Sequence, residues 1–142
     1  MTKCISYKGV NGLLFNDSPE KAIEIFGEPT KKEDTSDGIE LHYEHYIIRF
    51  DNNKMFREFT LLPTTPYIIN NIKGNWTYLG IQSFIKLDNN PQEYVGFIIL
   101  FELGISFVGF HDYPDNNLSE KAIHIFRKHD WDDFTATEDF KI

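Results

Sequence analysis

Two short segments of the chain place apolar residues at helical spacing between recognisable helix boundaries. The first spans residues 17–27. Ser18 can cap the first N–H groups, Pro19 suits the first helical position, and Gly27 is typical of a helix end. At helical spacing, four apolar residues share one side and three charged residues share the other: Ala22, Ile23, Ile25 and Phe26 against Glu20, Lys21 and Glu24. This pattern predicts a short amphipathic helix.

The second segment, residues 117–127, repeats the same pattern near the end of the chain. Asn117 and Glu120 have the spacing of a capping box, which also predicts a helix. The motif Glu-Lys-Ala-Ile-x-Ile-Phe occurs at both 20–26 and 120–126. Two related half-domain modules would explain the repetition, as would independent convergence on a good amphipathic helix.

Between these segments the chain is typical of antiparallel strands. Residues 39–50 and 55–62 are rich in β-branched and aromatic side chains. The link at 51–54 contains two asparagines, which tolerate positive φ in a turn. The pattern predicts a hairpin of these two strands.

A second hairpin is predicted from residues 94–111. Residues 94–102 are almost continuously apolar, which is typical of a strand covered on both faces. Leu103 and Gly104 then form a turn into a strand at 105–111. We expect this hairpin at the centre of the sheet.

The segment 76–87 fits both a strand and a helix. Alternate residues are apolar, but a helical stripe is also present. Asn75 could cap a helix, and Asn90 with Pro91 could end it, so the boundaries favour a helix.

Together these elements predict an α+β fold in one domain covering residues 1–142, with an antiparallel sheet of hairpins and two or three short helices packed on it. The last helix would close the fold on the sheet. A chain of 16.7 kDa buries about two-thirds of its surface on folding, which suits a single core.

Charge restricts the classes of partner. The formal net charge is −8, which disfavours nucleic acid and anionic membranes as direct partners. The single cysteine, Cys4, fits a reducing compartment, and no apolar segment has the length of a signal peptide or a membrane span. We therefore expect a cytoplasmic protein. Half of the net charge falls in residues 111–142, which contain eight acidic and four basic residues.

The sequence offers little for catalysis or metal binding. His42 and His45 form an H-x-x-H pair, but residues three apart in a strand point to opposite faces and cannot share one ion. Cys4 has no nucleophile motif around it. His111 beside Asp112, after a predicted strand, is the most enzyme-like pair, without an evident third member. The expectation is no catalytic residue, no metal and no cofactor.

Acidic and aromatic residues together mark the C-terminal third as a candidate protein-binding surface. The stretch after the second predicted helix contains Asp130, Trp131, Asp132 and Asp133. Carboxylates beside large aromatics suit an anchor for a basic partner. The alternative is that Trp131 and Phe134 fold back to seal the core while the aspartates are merely solvated.

The end of the chain resembles that of small bacterial immunity proteins, the cognate inhibitors of polymorphic toxins, including those of contact-dependent growth inhibition. Three parts of the sequence carry the resemblance: Leu103-Gly104-Ile105-Ser106-Phe107-Val108-Gly109-Phe110-His111-Asp112, then Ser119-Glu120-Lys121-Ala122-Ile123-x-Ile125-Phe126, then Trp131-Asp132. More loosely, the segment from Ser18 to Pro29 resembles modules of other bacterial inhibitors.

The resemblance implies a non-enzymatic protein that binds one toxin domain, with a basic nuclease as the expected partner. The expected contacts are Asp112, Tyr113 and Asp115 before the last predicted helix, and Asp130 to Asp133 after it. A small-ligand-binding module, an enzyme using His111 and Asp112, and a subunit of a larger assembly remain alternatives.

Overall fold

The fold is seen in a computed structural model, which describes residues 1–110, 118–133 and 137–140. These residues form two α-helices, a 3₁₀ helix and fourteen strands. The strands are β1 Thr2–Ile5, β2 Gly9–Val10, β3 Leu13–Leu14, β4 Lys31–Thr35, β5 Gly38–His42, β6 Tyr46–Phe50, β7 Phe56–Leu61, β8 Tyr67–Ile69, β9 Ile72–Lys73, β10 Gln92–Tyr94, β11 Phe97–Leu100, β12 Ile105–Val108, β13 Ala122–Phe126 and β14 Glu138–Asp139.

The first predicted helix is confirmed as α1, Pro19–Phe26. Its boundaries follow the residues that predicted them. The Ser18 side chain accepts a hydrogen bond from the Lys21 N–H, and Gly27 ends the helix at φ 85°, where a side chain would be strained.

The ambiguous segment 76–87 is also helical, as its boundaries favoured. Helix α2 spans Tyr78–Ile85, and the residue that caps it is Thr77 rather than Asn75. Thr77 Oγ1 accepts from the Gly80 N–H at 2.9 Å, while the Asn75 side chain supports the cap by accepting from Thr77. None of the helices in the described ranges has the length and apolar character needed to cross a membrane.

The second predicted helix is wrong. Leu118–Glu120 is a 3₁₀ helix, and Ala122–Phe126 is strand β13. This strand pairs with β12 on one side and with β7 on the other, so its backbone groups are satisfied without a helix. Ile123 and Ile125 point together into the core. The final closing helix is therefore absent from 118–126.

The larger sheet has nine antiparallel strands in the order β14-β10-β11-β12-β13-β7-β6-β5-β4. Both predicted hairpins are present, as β6 with β7 and β11 with β12. Three details differ from the prediction. Residues 94–102 do not form one strand, because the chain turns at 95–96 between the end of β10 and the start of β11. Residues 39–50 form two strands, β5 and β6, because the chain turns at 43–45. The centre of the sheet is β13, the segment expected to be a helix.

The smaller sheet has five strands in the order β3-β2-β1-β8-β9, with β1 and β8 parallel. Its buried side chains, those of α1 and α2, and one face of the nine-stranded sheet belong to one hydrophobic core. We call this face of the larger sheet its inner face and the opposite one its outer face. The result is a single-domain α+β fold, as the sequence predicted. It is mostly β and has two sheets, where one sheet was expected.

A second, smaller hydrophobic cluster lies on the outer face of the nine-stranded sheet. Ile99, Phe126 and Trp131 form its buried part. Tyr7, Phe97 and Phe101 pack around them. The rest of the outer face carries a mixture of polar side chains, such as Arg49 and Glu58, and apolar ones, such as Ile47.

Candidate functional site

A row of charged side chains crosses the outer face of the nine-stranded sheet. Strand register places Glu33 opposite Glu40, Glu40 opposite Arg49, and Arg49 opposite Glu58. Directly opposed residues of antiparallel strands share a face. The row therefore runs from edge strand β4 to β7, where the hydrophobic cluster of the outer face begins.

Glu58 is the centre of the buried part of this row. It is only 7% exposed, and both carboxylate oxygens have partners. Oε2 accepts from Arg49 Nη1 at 3.0 Å and lies 3.6 Å from His124 Nδ1, while Oε1 accepts from Trp131 Nε1 at 2.9 Å. A buried carboxylate is tolerated only with such partners.

These partners decide the charge of Glu58. Burial by itself raises the pKa of a carboxyl group. Here His124, Arg49 and the Trp131 indole together outweigh burial and lower the pKa of Glu58 to about 2. The group is therefore a carboxylate at neutral pH.

Thr60 and His124 extend the network by one row. They are opposed across β7 and β13, and Thr60 Oγ1 lies 2.9 Å from His124 Nδ1. Arg49 also donates to Thr60 Oγ1. The imidazole packs against the rings of Phe97 and Trp131, with centroids 6.4 and 5.7 Å away. Aromatic packing and hydrogen bonds thus fix the network in one geometry.

At the other end of the row, two carboxylates and an imidazole converge. His42 Nε2 lies 3.1 Å from Glu40 Oε1 and 3.4 Å from Glu33 Oε2. The imidazole nitrogen and one oxygen of each carboxylate all lie within 4.8 Å of one another. Carboxylate oxygens and imidazole nitrogen are ligands for divalent transition metals.

Each of these carboxylates also has a basic partner. Arg49 Nε binds Glu40 Oε2 at 2.9 Å, and Lys31 Nζ lies 3.6 Å from Glu33. Burial raises the pKa of Glu40, but Arg49 and His42 outweigh it and lower the pKa. These ion pairs are sufficient to explain why the two carboxylates and the imidazole lie close together. His45, the other member of the H-x-x-H pair, lies beside Glu44 and outside the group.

Among the expected contact residues, Trp131 is part of a core. It is 8% exposed and stacks on Phe126 with ring centroids 4.8 Å apart. For Trp131 this is the arrangement of the alternative interpretation, in which the indole folds back to seal the fold. Phe134, the other residue of that interpretation, lies outside the described residues.

The neighbouring aspartates remain at the surface. Asp130 accepts from Arg127 Nε at 3.1 Å, and Asp132 lies 2.6 Å from His129 Nδ1. Asp132 and Asp133 are exposed. The turn that holds Trp131 therefore presents carboxylates outward.

The other expected residues, Asp112, Tyr113 and Asp115, lie outside the described residues. The same is true of His111, whose pairing with Asp112 was the most enzyme-like feature of the sequence.

An acidic and apolar edge lies close to the Trp131 turn. Strand β14 pairs with β10, which places Glu138 opposite Glu93. At the end of β10, Tyr94 is 38% exposed and Val95 is 87% exposed. We call these residues the acidic edge, which consists of Glu93, Tyr94, Val95, Glu138 and Asp139.

Phe97 connects the acidic edge to the Trp131 turn. It is directly opposed to Tyr94, and its ring lies 5.9 Å from that of Trp131. Tyr94 and Asp139 therefore adjoin the turn on the outer face, whereas Glu93 and Glu138 are opposed to Ile98 and lie on the other side of the same edge.

Sequence reasoning missed Arg49, Glu58 and Thr60. A signal was present, since Glu40, Arg49 and Glu58 carry alternating charges inside strands that are otherwise apolar and aromatic. Opposite charges in neighbouring strands favour cross-strand pairing. The missing information was the register, which decides whether such residues meet.

Comparison of the chain with protein families, with curated proteins and with solved structures found no match in any of the three.

Proposed function

We propose that the protein is an immunity protein that binds and neutralises a cognate bacterial toxin domain in the cytoplasm, without chemistry of its own. The observation that carries the proposal is the acidic edge beside the Trp131 turn. It combines the exposed carboxylates of Glu138 and Asp139 with the exposed side chains of Tyr94 and Val95. The partner that fits this surface is a basic protein domain, of which a nuclease with a cationic active cleft is the best example.

The two kinds of side chain would have different roles in binding. Carboxylates at Glu138, Asp139, Asp132 and Asp133 attract a basic surface and accelerate encounter. Burial of Val95 and of the exposed part of Tyr94 slows dissociation, because separation of the complex must return this apolar surface to water.

The buried network supports this surface from below. Trp131 is held by its hydrogen bond to Glu58 and by stacking on Phe126, so the turn carrying Asp132 and Asp133 is ordered before binding. A preordered surface loses less conformational entropy on association than a flexible one.

Charge reversal with a matched control tests the proposal. The candidate toxin is the C-terminal domain of whatever protein is encoded immediately upstream of the gene, and binding is measured by calorimetry at two salt concentrations. Three double variants reverse the proposed contacts: Asp132→Lys with Asp133→Lys, Glu138→Lys with Asp139→Lys, and Asp112→Lys with Asp115→Lys. The control reverses the exposed pair Glu20 and Glu24 on α1, which changes net charge by the same amount.

At least one contact variant is expected to weaken binding by about tenfold or more and to reduce its salt dependence. The control should bind like the parent. If all three contact variants retained the parental affinity and salt dependence, this surface would not be the interface. A neighbouring product that does not bind the protein at all would overturn the immunity function itself.

A further inference from the structure

The exposed face of the five-stranded sheet has the opposite character to the acidic edge. Register aligns Lys3, Ile68 and Lys73 in one row across β1, β8 and β9. The next row aligns Ile5 with Gly9 and Leu14. The residues that alternate with these, such as Cys4, are buried in the core. We call this surface the lysine face, and none of its strand positions carries a carboxylate.

Two adjoining grooves cross the lysine face. The larger is about 550 Å³ and is lined by Lys3, Ile5, Lys8, Gly9, Asn11, Gly12 and Leu14. The smaller is about 360 Å³ and lies on the other side of β1. Lys3 and Ile5 line both grooves, so the two form one trough across the strand. Its lining residues include lysines, asparagines and aliphatic side chains but no acidic residue.

The loops at the ends of the trough are held in place by hydrogen bonds. Asn11 Oδ1 accepts from the Lys3 N–H at 2.7 Å. At the other end, Asn70 Oδ1 accepts from the Ser6 N–H at 3.0 Å. The trough is therefore preformed, as binding grooves usually are.

We propose that the lysine face is a docking site for an acidic segment of a partner protein that also carries aliphatic side chains. Charge complementarity is the first reason. Lys3, Lys8 and Lys73 form a cationic surface on a chain whose net charge is −8. Apolar complementarity is the second, because Ile5 is 51% exposed and Leu14 is 45% exposed.

A short protein segment fits this surface better than a nucleic acid or a membrane. Extended polyanions would experience the net negative charge of the whole protein, which repels them. A short segment experiences mainly the local field of the lysines, since charges beyond about 8–10 Å are screened at physiological salt.

The site is independent of the proposed immunity function. It lies on the other sheet and selects the opposite charge, so either proposal can fail without the other. An acidic partner here would be a second ligand, bound at the same time as a basic toxin.

A peptide probe tests the proposal directly. The probe is a fluorescent peptide in which aspartate alternates with leucine, and its matched control carries lysine in place of aspartate. We expect the acidic peptide to bind the full chain and the basic peptide not to bind the lysine face. The methyl resonances of Ile5 and Leu14 should shift on titration with the acidic peptide.

Charge-reversal variants locate the binding. Lys3→Glu with Lys8→Glu should weaken acidic-peptide binding by about tenfold or more. The matched control reverses two exposed lysines elsewhere, Lys54→Glu with Lys86→Glu, and should bind like the parent. Circular dichroism verifies that each variant is folded.

Three results would overturn the proposal. One is equal loss of binding in both double variants, which would indicate net charge alone. Another is binding of phosphatidylglycerol vesicles or single-stranded DNA at the lysine face without binding of the peptide. The third is failure to bind the peptide together with self-association that the Lys3 and Lys8 variant abolishes, which would make a second copy the occupant.

Discussion

Trp131 Nε1 donates a hydrogen bond of 2.9 Å to Oε1 of Glu58, across the outer face of the nine-stranded sheet. The two residues are 73 positions apart in the chain. The bond ties the turn after β13 to the middle of β7, and it places the N–H edge of the indole against a buried carboxylate. The indole N–H and the carboxylate oxygen are both buried, so water cannot readily replace either partner if the hydrogen bond is lost.

Replacing the indole tests this relationship. Trp131→Phe retains an aromatic ring for stacking on Phe126 but removes the N–H donor. We expect it to lower the free energy of unfolding by about 1–3 kcal/mol, because one oxygen of a buried carboxylate loses its donor. Denaturant unfolding of the parent, Trp131→Phe, Glu58→Gln and the double variant gives the coupling energy. Additive effects of the two substitutions would contradict a direct interaction.

Acid stability should depend on Glu58. Its pKa is lowered from 4.5 to about 2 by folding, so the folded state prefers the carboxylate. The resulting stabilisation is complete above about pH 4.5 and is lost as pH falls toward 2. The shift corresponds to about 3 kcal/mol.

Glu58→Gln should therefore be less stable than the parent at neutral pH, and its stability should fall less between pH 5 and 2.5. The measurement is urea unfolding across this range. Glu20→Gln on the exposed side of α1 is the control, and it should follow the parental curve. A parental acid slope in Glu58→Gln would show that other groups govern acid unfolding.

The repeated heptapeptide allows the same substitution in a helix and in a strand. Ile123 is fully buried at the centre of the nine-stranded sheet, whereas Ile23 in α1 is half-buried. Ile123→Ala should cost about 3 kcal/mol or more, through lost burial and a cavity. Ile23→Ala should cost about half as much, because less apolar area leaves water. Equal losses in thermal or urea unfolding would be inconsistent with these different environments.

Cys4 should be unreactive in the folded protein. It is 2% exposed, and burial raises the pKa of its thiol to about 12, so almost no thiolate exists at neutral pH. Modification by Ellman's reagent should therefore proceed only at the rate at which β1 opens, and reach completion at once in guanidinium. Rapid labelling under native conditions would mean that the five-stranded sheet opens readily.

Local signals in the sequence predicted much of the fold. Ser18, Pro19 and Gly27 mark the ends of α1 because capping is a property of adjacent residues. The hairpins of β6 with β7 and of β11 with β12 were predicted because a turn and its flanking strands are contiguous. Such features need no information about distant parts of the chain.

The candidate site was predicted less well for the same reason. Glu40, Arg49 and Glu58 meet only because three strands pair in one register. Trp131 reaches Glu58 only after β13 has paired with β7. Composition indicated acidic and aromatic residues near the end of the chain, but not that the indole would be buried beside the carboxylate of Glu58.

The two copies of Glu-Lys-Ala-Ile-x-Ile-Phe have different structures for a physical reason. The first copy is a helix that local signals alone predict, since Ser18, Pro19 and Gly27 lie at its ends. The second copy is followed by Arg127 in place of glycine, and its residues 122–126 form the central strand of the nine-stranded sheet. Pairing with β7 and β12 satisfies the backbone of this strand on both sides and buries Ile123 and Ile125 together. These gains outweigh the modest helical preference of five residues.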